Sequence, residues 1–482
     1  MPDAAHASSV IVWFRRDLRL ADNPALHAAA ESGRTVIPLY VLDETPEVRA
    51  PGAAAVWWLD KSLRSLAKDL EAQGSRLILR RGIAADILAD LCETTGAGSA
   101  VWNRLYDGGA VGRDTVLKQS LKASGVAVES FNAGLLSEPW MLKTKTGEPY
   151  KVFTPYLKAL RGSVCDVTLY RAPDRLAPPS HWPASDALDD WALHPTHPDW
   201  SRGFDDWTPG EAGAHERLHA FLDDELADYA HARDAPASEG SSRLSPHLHW
   251  GEIGPRQVWC AVEAAAHRRH GLQSAADKFL AELAWREFNH EILFHHPDLA
   301  TANYKPAFDR FPWAAGHRGL AAWKRGQTGY PMVDAGMRQL WTTGFMHNRV
   351  RMIAASFLIK HLLIDWRIGE RWFWDTLVDA DEANNPANWQ WVAGSGADAS
   401  PFFRIFSPMG QGERFDSDGA YVRRWVPELA TLDARYIHAP WIAPESALEE
   451  AGVRLGDNYP RPIVDHQVAR ERALEALKSL KI

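Results

Sequence analysis

Acids, amides and tryptophans crowd together between Asp379 and Trp391, in the part of this sequence best suited to chemistry. Asp379 and Asp381 precede an amide-rich turn, and carboxylates two residues apart are typical of a solvated loop or of a divalent-cation site. The nearby Arg351 offers one of them a buried counter-charge, which would serve positioning more than stability. The run is too polar for a plain hydrophobic core and too aromatic for a plain loop.

Two helical stripes carry further groups that could bind a ligand. Residues at i, i+3, i+4 and i+7 share one helix face, and the first stripe consists of Glu282, Trp285, Arg286 and Asn289. The second, on a helix predicted over Met346–Asp365, consists of Asn348, Arg351, Met352 and Ala355. The first is either a binding face or a surface ion pair beside a buried ring. The second either approaches an anionic cofactor or a base, or is a capped core helix with a structural arginine.

A Gly/Ser loop over Glu239–Leu248 leads toward a helix. Backbone N–H groups and hydroxyls at such a turn can hold a phosphate. The loop matches neither a Walker A motif nor a GxGxxG motif, so a plain turn with an N-cap residue is the alternative.

The elements that must position these groups begin with an alternating pattern. Short apolar runs bounded by polar turns occur at Val10–Phe14, Val36–Leu42, Arg76–Arg80 and Ala100–Trp102. Helical patterns such as Ala53–Gln73 separate them. Short buried strands that alternate with helices predict a Rossmann-like α/β domain with a parallel sheet, which we expect to span residues 1–133.

The rest of the chain divides into a connector and a helical part. The stretch Tyr170–Asp199 is rich in proline, which breaks helices and strands and indicates a connector, predicted over residues 134–204. Three tryptophans that need burial argue that this connector is ordered: Trp182, Trp191 and Trp200. Helical patterns dominate afterwards and predict a large all-α C-terminal domain over residues 205–482.

Composition bounds the class of protein. A chain of 482 residues with 46% hydrophobic and 24% charged residues is typical of a soluble globular protein of two domains. A net charge of −9 gives no global basic field, although a local basic groove can still bind DNA. The three cysteines are far apart, which suggests neither a disulfide framework nor a four-cysteine metal or iron–sulfur site. No apolar run reaches transmembrane length and no signal pattern opens the chain, so we expect a cytoplasmic protein without a membrane partner.

Several long motifs in one order make the chain similar to the DNA photolyase/cryptochrome family over nearly its whole length. The matching segments are Trp13–Pro24, Trp57–Leu59, Gly240–Pro246, Thr328–Ala335 and Trp389–Trp391. The resemblance is to cyclobutane pyrimidine dimer photolyases of class I or class III, with class III nearer. It implies an antenna-binding α/β domain and a helical domain that binds FAD and DNA.

The resemblance also implies which residues bind FAD. The phosphates and the ribityl chain would be held by Tyr229, Ser241, Ser242, Leu244, Ser245 and Arg286. The isoalloxazine and adenine would be surrounded by Asn348, Arg351, Asp379, Asp381 and Asn385. Opposite flavin N5 the family has Asn in photolyases, Asp in plant cryptochromes and Cys in animal ones. Asn385 in this place implies an enzyme that works from reduced flavin, FADH⁻.

The lesion site follows from the same resemblance. Photolyases of the (6-4) class carry a histidine pair where this chain has Asn348–Met352, as cyclobutane-dimer photolyases do. Met352 would touch the apolar face of the dimer, and Trp285 and Trp391 would stack on the flipped thymines. Glu282 would hydrogen-bond the base and steady the radical anion. Contacts to UV-damaged DNA that carry no sequence information are implied for Asn348, Arg233, Arg349, Arg404 and Gln411.

The implied reaction is driven by light. Excited FADH⁻ would pass one electron to the dimer, the cyclobutane ring would split, and the electron would return, so no metal, nucleophile or general base is needed. Glu282 and Asn385 are the implied catalytic side chains beside the dimer and the flavin. The family's tryptophan chain for flavin photoreduction matches Trp389, Trp366 and Trp313.

The antenna is expected to be 5,10-methenyltetrahydrofolate. Folate-binding class I relatives have an Asn-Glu pair after the strand near Trp102, whereas this chain has Asp107–Val111 there. The resemblance to class III therefore implies folate at another site, whose ligands the sequence does not name.

Two functions other than repair are possible for a chain of this kind. A cryptochrome-type blue-light receptor is disfavoured by Asn385 and by the lack of a long tail after the helical run Val468–Leu480. A dark flavin oxidoreductase would need a GxGxxG motif that opens a helix, and none is found. We expect a monomer of bacterial type that associates with the nucleoid when bound to DNA.

Overall fold

The computed structural model describes residues 9–164, 168–316, 318–399 and 403–480. The chain forms two compact units, and the first contains Met1–Trp200, Asp206–Asp224 and Ser242–Pro297. The second contains Ser201–Asp205, Glu225–Ser241 and Asp298–Ile482. The domain boundaries predicted at residues 133 and 204 stay predictions. Among the described residues, no helix combines the length and apolar character needed to cross a membrane.

A five-stranded parallel sheet with the order β3-β2-β1-β4-β5 forms the core of the first unit. Its strands are β1 Val10–Phe14, β2 Val36–Asp43, β3 Ile78–Gly82, β4 Ser99–Asn103 and β5 Ala127–Phe131. The predicted parallel sheet is confirmed, with β3 beginning two residues later than the apolar run suggested. The sequence did not predict β5, because this edge strand is only partly buried and lacks a continuous apolar run.

The helices follow in chain order. They are α1 Pro24–Glu31, α2 Ala53–Ala72, α3 Ala84–Thr95, α4 Gly108–Ala123, α5 Phe153–Ser163, α6 Glu211–Ala220, α7 Tyr229–Ala232, α8 Ser245–Trp250, α9 Pro255–Arg268, α10 Gln273–His295, α11 Leu320–Arg325, α12 Pro331–Thr343, α13 Asn348–Ser356, α14 Trp366–Thr376, α15 Asn384–Ala393, α16 Pro408–Phe415, α17 Ala420–Trp425, α18 Glu445–Glu450 and α19 His466–Lys478. The prediction that helices dominate after residue 205 is confirmed.

The helix predicted over Met346–Asp365 is shorter than expected. It begins at Asn348, where the His347 side chain accepts a hydrogen bond from Arg349 N at 3.2 Å, and it ends at Ser356. A π-helical turn, Phe357–His361, continues the chain. The stripe of buried residues runs through this turn, so the apolar pattern alone could not show where the α-helix ends.

The proline-rich stretch Tyr170–Asp199 lies wholly within the described residues. Trp191 is 6% exposed, and Trp182 packs against the sheet's core cluster. Trp200 is partly exposed. The predicted burial is therefore complete for Trp191 and partial for Trp182 and Trp200.

Candidate functional site

A bidentate ion pair joins α13 to the turn before α15 in the second unit. Arg351 Nη1 lies 3.1 Å from Asp379 Oδ1, and Arg351 Nη2 lies 2.9 Å from Asp379 Oδ2. Arg351 Nε donates to the Met346 carbonyl over 2.6 Å. Asp379 is buried, so the pair is largely removed from water. The predicted counter-charge is confirmed, and the parallel hydrogen bonds fix the plane of the guanidinium group.

Asp381 caps the start of α15. Its Oδ1 accepts hydrogen bonds from Ala383 N at 3.0 Å, from Asn384 N at 2.7 Å and from Asn384 Nδ2 at 2.9 Å. A carboxylate in this place satisfies N–H groups that have no partner within the helix. The two aspartates of the acid-rich run therefore have different roles. Asp379 holds Arg351, and Asp381 caps the helix that carries Asn385.

The amide of Asn385 has a fixed orientation. Its Nδ2 donates to Glu370 Oε1 at 2.9 Å and to the Glu370 carbonyl at 3.1 Å. Glu370 lies on α14 and is fully buried. Because the amide nitrogen is used within the unit, Oδ1 is the Asn385 atom left to accept a hydrogen bond from a ligand.

The three tryptophans predicted as an electron chain lie in the second unit and differ in burial. Trp366 and Trp389 belong to the unit's hydrophobic core, whereas Trp313 is partly exposed and packs against it. Trp366 Nε1 donates to Asn303 Oδ1 over 2.9 Å. The set runs from the core to the surface, as a path from a buried cofactor requires. Its role in photoreduction stays a prediction.

A glycine on α14 makes room for Trp389. A Cβ atom at Gly369 would lie 2.1 Å from Trp389 Cη2, so any side chain there would displace the indole. Phe373 meets the Trp389 ring edge-on, with 4.9 Å between ring centroids. The indole is therefore held by its contacts with α14 as well as by its own helix.

The side chains predicted to touch DNA in the second unit have mixed surroundings. Arg349 Nη2 lies 2.7 Å from Asp234 Oδ1, and its guanidinium carbon lies 4.4 Å from the Phe415 ring centroid. The Arg233 guanidinium carbon lies 5.5 Å from the Tyr229 ring centroid. Partly exposed positions are Met352, Trp391 and Gln411, and Arg404 is exposed.

Lys360 holds the segment that carries Arg404. Its Nζ donates to the Arg404 carbonyl and lies 4.2 Å from the Phe403 ring centroid. Burial, assisted by the charge of Arg404, lowers the pKa of Lys360 to about 7. The exposed Arg404 side chain therefore extends from a backbone segment that the buried amine of Lys360 holds in place.

The part of the Gly/Ser loop that belongs to the first unit, from Ser242 onward, is anchored before it enters α8. Ser242 Oγ accepts from Leu244 N at 3.4 Å, and Leu244 is buried. Arg243 has a φ of +50°, and its guanidinium carbon lies 4.1 Å from the Trp207 ring centroid. Ser245 is exposed at the helix start. A fixed loop that presents a serine at a helix start suits a phosphate group.

Glu252 anchors α8 to neighbouring parts of the first unit. Its carboxylate accepts from Trp58 Nε1 at 2.9 Å and from Gly210 N at 2.7 Å, and it also contacts His247 Nδ1 within α8. Glu252 is fully buried. Trp58, part of the family-like Trp57–Leu59 motif, therefore supports the start of the Gly/Ser loop's helix rather than touching a ligand.

Helix α10 carries Glu282 and Trp285, which are both partly exposed. The ring of Phe153 lies parallel to the Trp285 ring, with 3.7 Å between centroids and 8° between planes. The face predicted for the first stripe is present, although Asn289 is buried. Trp285 is therefore a stacked ring with one face covered by the protein itself.

Arg286 already has two partners within the first unit. Its Nη1 donates to the Gly134 carbonyl at 2.8 Å and to Glu287 Oε1 at 2.9 Å. Burial raises the pKa of Glu287 to about 7, although the charge of Arg286 opposes the shift. The predicted role of Arg286 toward a phosphate stays a prediction.

The turn after β4 lies where class I folate sites carry their Asn-Glu pair. Asp107 caps α4 with its side chain. A Cβ atom at Gly108 would lie 2.7 Å from Pro297 Cβ, and one at Gly109 would lie 2.1 Å from the Glu47 carbonyl oxygen. A side chain at either position would therefore require these neighbours to move.

The sequence did not indicate Glu370, Glu252 and Phe153, which hold predicted site residues or their helices in place. Glu370 and Phe153 lie on other helices than the residues they support, so no local spacing could reveal them. Glu252 lies five residues from His247, but its contacts with Trp58 and Gly210 are distant in sequence. A charged residue among the aromatics of α14 was the one available signal for Glu370. His347 was also missed as the cap of α13, where burial lowers its pKa to about 4.

In the second unit the chemistry of these groups fits a flavin ring, because Asn385 Oδ1 suits a ring N–H and Arg351, fixed by Asp379, suits an anionic ring. In the first unit, the start of α8 suits a phosphate. Asp379 and Asp381, which could belong to a cation site, pair with Arg351 and cap α15 respectively.

Comparison with known proteins gives the same answer. Residues 10–176 match the family model described as DNA photolyase, and residues 279–479 match the FAD binding domain of DNA photolyase. The chain is 54% identical over 473 residues to the deoxyribodipyrimidine photo-lyase of Agrobacterium fabrum, with 98% of each chain covered. It is 39% identical over 482 residues to cryptochrome-2 of Arabidopsis thaliana, which covers 97% of this chain and 78% of that one.

The fold agrees with a solved structure as well. A crystal structure of a bacterial class III photolyase from Agrobacterium tumefaciens matches with a TM-score of 0.96 and 53% identity, covering 100% of this chain and 99% of that one. Both the α/β part and the helical part are included in this match. The chain therefore belongs to the DNA photolyase and cryptochrome family and carries that family's FAD-binding domain.

Proposed function

We propose that this protein is a deoxyribodipyrimidine photo-lyase that uses light to repair cyclobutane pyrimidine dimers in DNA. The observation that carries this choice over a blue-light receptor is Asn385, whose Nδ2 is held by Glu370 while Oδ1 is left for a ligand. A neutral amide beside a flavin adds no charge there. This suits an enzyme that works from reduced flavin, FADH⁻.

FAD, when bound and reduced, supplies the light-excited electron that opens the dimer. Asn385 Oδ1 would accept a hydrogen bond from flavin N5–H, and Arg351, held by Asp379, would place a positive charge beside the ring. The loop Ser242–Ser245 and Arg286 would bind phosphate oxygens. The other residues assigned to the cofactor are Tyr229, Ser241, Asn348 and Asp381.

The lesion is recognised by stacking and by one carboxyl group. Trp285 and Trp391 stack on the flipped bases, and Met352 contacts the apolar face of the dimer. Glu282 hydrogen-bonds the base edge. Phosphate and strand contacts, which bind any sequence, come from Arg233, Arg349, Arg404 and Gln411.

The antenna is a folate, 5,10-methenyltetrahydrofolate, bound away from the class I position. The close neighbours of Gly108 and Gly109 support this, because the side chains of an Asn-Glu pair there would require these neighbours to move. The enzyme acts as a monomer in the cytoplasm and associates with the nucleoid when it binds damaged DNA.

Repair itself is the test. The flavin of the purified protein is reduced, an oligothymidine with cyclobutane dimers is added, and the sample is illuminated at blue to near-ultraviolet wavelengths. Ultraviolet absorbance of the bases should rise as their 5,6 double bonds return, while the dark sample stays flat. No rise with reduced flavin present would overturn the proposal, and repair of a (6-4) substrate in its place would reassign the lesion.

The tryptophan chain has a separate test. Trp389→Phe should slow photoreduction of oxidised flavin roughly tenfold or more, because phenylalanine is far harder to oxidise than tryptophan. Repair by enzyme reduced beforehand should be unchanged. Trp425→Phe, at a partly buried ring in the same unit, is the matched control and should leave both rates intact. Photoreduction at the wild-type rate in Trp389→Phe would remove Trp389 from the chain.

A further inference from the structure

One face of Trp285 is covered by a residue from the connector. Phe153 is the first residue of α5 and follows Val152, which has extended backbone. With 3.7 Å between centroids and 8° between planes, the rings of Phe153 and Trp285 touch face to face. Phe153 is buried, whereas Trp285 remains partly exposed. The indole therefore has one face against protein and a further part of its surface available.

A second aromatic ring fixes the stack from the side. Phe288, one turn after Trp285 on α10, meets the Trp285 ring at 5.8 Å and 71° and the Phe153 ring at 6.0 Å and 64°. Phe288 is fully buried. A rotation of the indole would lose the parallel contact with one ring and collide with the other, so the plane of Trp285 is set before any ligand arrives.

Helix α5 is itself tied to α10 at both ends. Tyr156, one turn after Phe153, packs against Phe288 with 5.2 Å between centroids and is fully buried. At the other end Arg161 Nη2 lies 3.1 Å from Asp277 Oδ1 and donates to the Asp277 carbonyl at 3.2 Å. The ion pair is half-exposed and sets alignment more than stability. Phe153 is thus held by a helix that cannot shift along α10 freely.

We propose that Phe153 is a positioning residue for lesion recognition, which holds the plane of Trp285 so that a flipped pyrimidine dimer stacks on an already ordered indole. The inference rests on the proposed function, in which Trp285 receives a base of the dimer. An indole without this support would lose rotational freedom on binding, and that loss would weaken the complex. Undamaged DNA presents no flipped base, so its binding does not depend on Phe153. Phe153 therefore acts on discrimination between damaged and undamaged DNA.

The test compares two substitutions of one residue. Dissociation constants of the flavin-containing protein are measured for an oligothymidine with a dimer and for the same strand without one. Phe153→Leu, which keeps an apolar side chain but removes the ring, should weaken binding of the damaged strand roughly three- to tenfold. Binding of the undamaged strand and flavin content should stay at wild-type values. Phe153→Tyr keeps the stack and should bind both strands as the wild type does.

Further variants separate this inference from the proposed function. Loss of discrimination in Trp285→Leu is expected, and unchanged discrimination there would overturn the role of Trp285 itself. If Trp285→Leu loses discrimination but Phe153→Leu does not, only the role of Phe153 is overturned. Equal losses in Phe153→Leu and Phe153→Tyr would also overturn it, because ring stacking could not then be the cause.

A double variant covers the case in which Phe153→Leu disturbs folding. If Phe153 acts through Trp285, adding Phe153→Leu to Trp285→Leu should change binding of the damaged strand by less than about twofold. A full additional loss in the double variant would show that Phe153 acts independently of the indole, and the proposal would fail.

Discussion

Arginine–aspartate pairs are buried both at the carboxyl edge of the parallel sheet and in the α13–α15 region. The two regions differ in whether an acceptor atom is left for a ligand. At the sheet edge, Asp114 accepts hydrogen bonds from Arg15, Arg113 and Trp102 Nε1 at 2.7 to 3.1 Å. The two guanidinium carbons each lie 4.7 Å from the Trp13 ring centroid. The carboxylate is thus surrounded by donors from its own unit.

In the α13–α15 region the charges are paired, but one acceptor, Asn385 Oδ1, is not used within the unit. Arg351 and Asp379 satisfy each other, while Asn385 uses only its nitrogen within the unit. Buried charge by itself therefore does not mark a binding site, because the Asp114 carboxylate is already occupied by donors of its own unit. Open α/β sheets bind ligands at the carboxyl edge near a topological switch point. Here side chains of the same unit occupy that edge.

The largest effect is expected from breaking the sheet-edge network. Burial alone would raise the pKa of Asp114, but the charges of Arg15 and Arg113 hold it below its usual value. Asp114→Ala removes the shared acceptor and should cost about 3–5 kcal/mol of unfolding free energy, since the buried Arg15 loses its ion-pair partner and Arg113 keeps only Asp43. Urea unfolding measures it. Asp90→Ala, which breaks an exposed pair with Arg80, is the control and should cost at most about 1 kcal/mol.

If Asp114→Ala proved as mild as Asp90→Ala, the sheet edge would not be a stabilising network. Its contrast with the α13–α15 region would then be one of burial alone.

A smaller effect is expected at Glu291, which is buried without the pairing that Asp114 has. Among the described residues Glu291 Oε1 has no hydrogen-bond partner, although His295 Nε2 lies 3.7 Å away, and burial raises the pKa of this carboxyl to about 8. Because the folded-state pKa is raised, the stabilising contribution is complete below the ordinary value near 4.5 and is lost as the pH rises through about 8. Glu291→Gln should therefore be more stable than the wild type at pH 9 by about 2–4 kcal/mol and nearly equal at pH 5.

Urea unfolding at the two pH values tests this, with Glu93→Gln on the exposed face of α3 as the control. A stability gain for Glu291→Gln that is the same at both pH values would contradict the raised pKa and leave packing as the cause.

The smallest of the three effects concerns the flavin. Asp379→Asn removes the charge that orients Arg351, so affinity of the flavin-free protein for FAD should fall roughly ten- to hundredfold, as for a lost hydrogen bond to a charged group. Fluorescence titration with FAD measures it. Asp365→Asn, which alters a helix cap paired with Arg367 in the same unit, should bind FAD as the wild type does. Equal affinities in both variants would show that the Arg351–Asp379 pair is structural, like the one at the sheet edge.

Much of the fold followed from local patterns. Continuous apolar runs located β1, β2 and β4, and helical periodicity located α2 and the buried stripe of α13. The end of α13 could not be predicted, because the apolar period continues into the π turn Phe357–His361. The edge strand β5 was not predicted, because it pairs with another strand on one side only and its side chains stay partly exposed.

The sequence by itself determined the family, the residue types proposed for the flavin and lesion positions, and Arg351 as a counter-charge for one of the two aspartates. These depend on motif order and on residue type. Only the tertiary structure decided that Asn385 presents its oxygen, that Phe153 stacks on Trp285 and that Glu252 joins α8 to Trp58 and Gly210. The geometry of these contacts depends on how the helices pack, which no local pattern encodes.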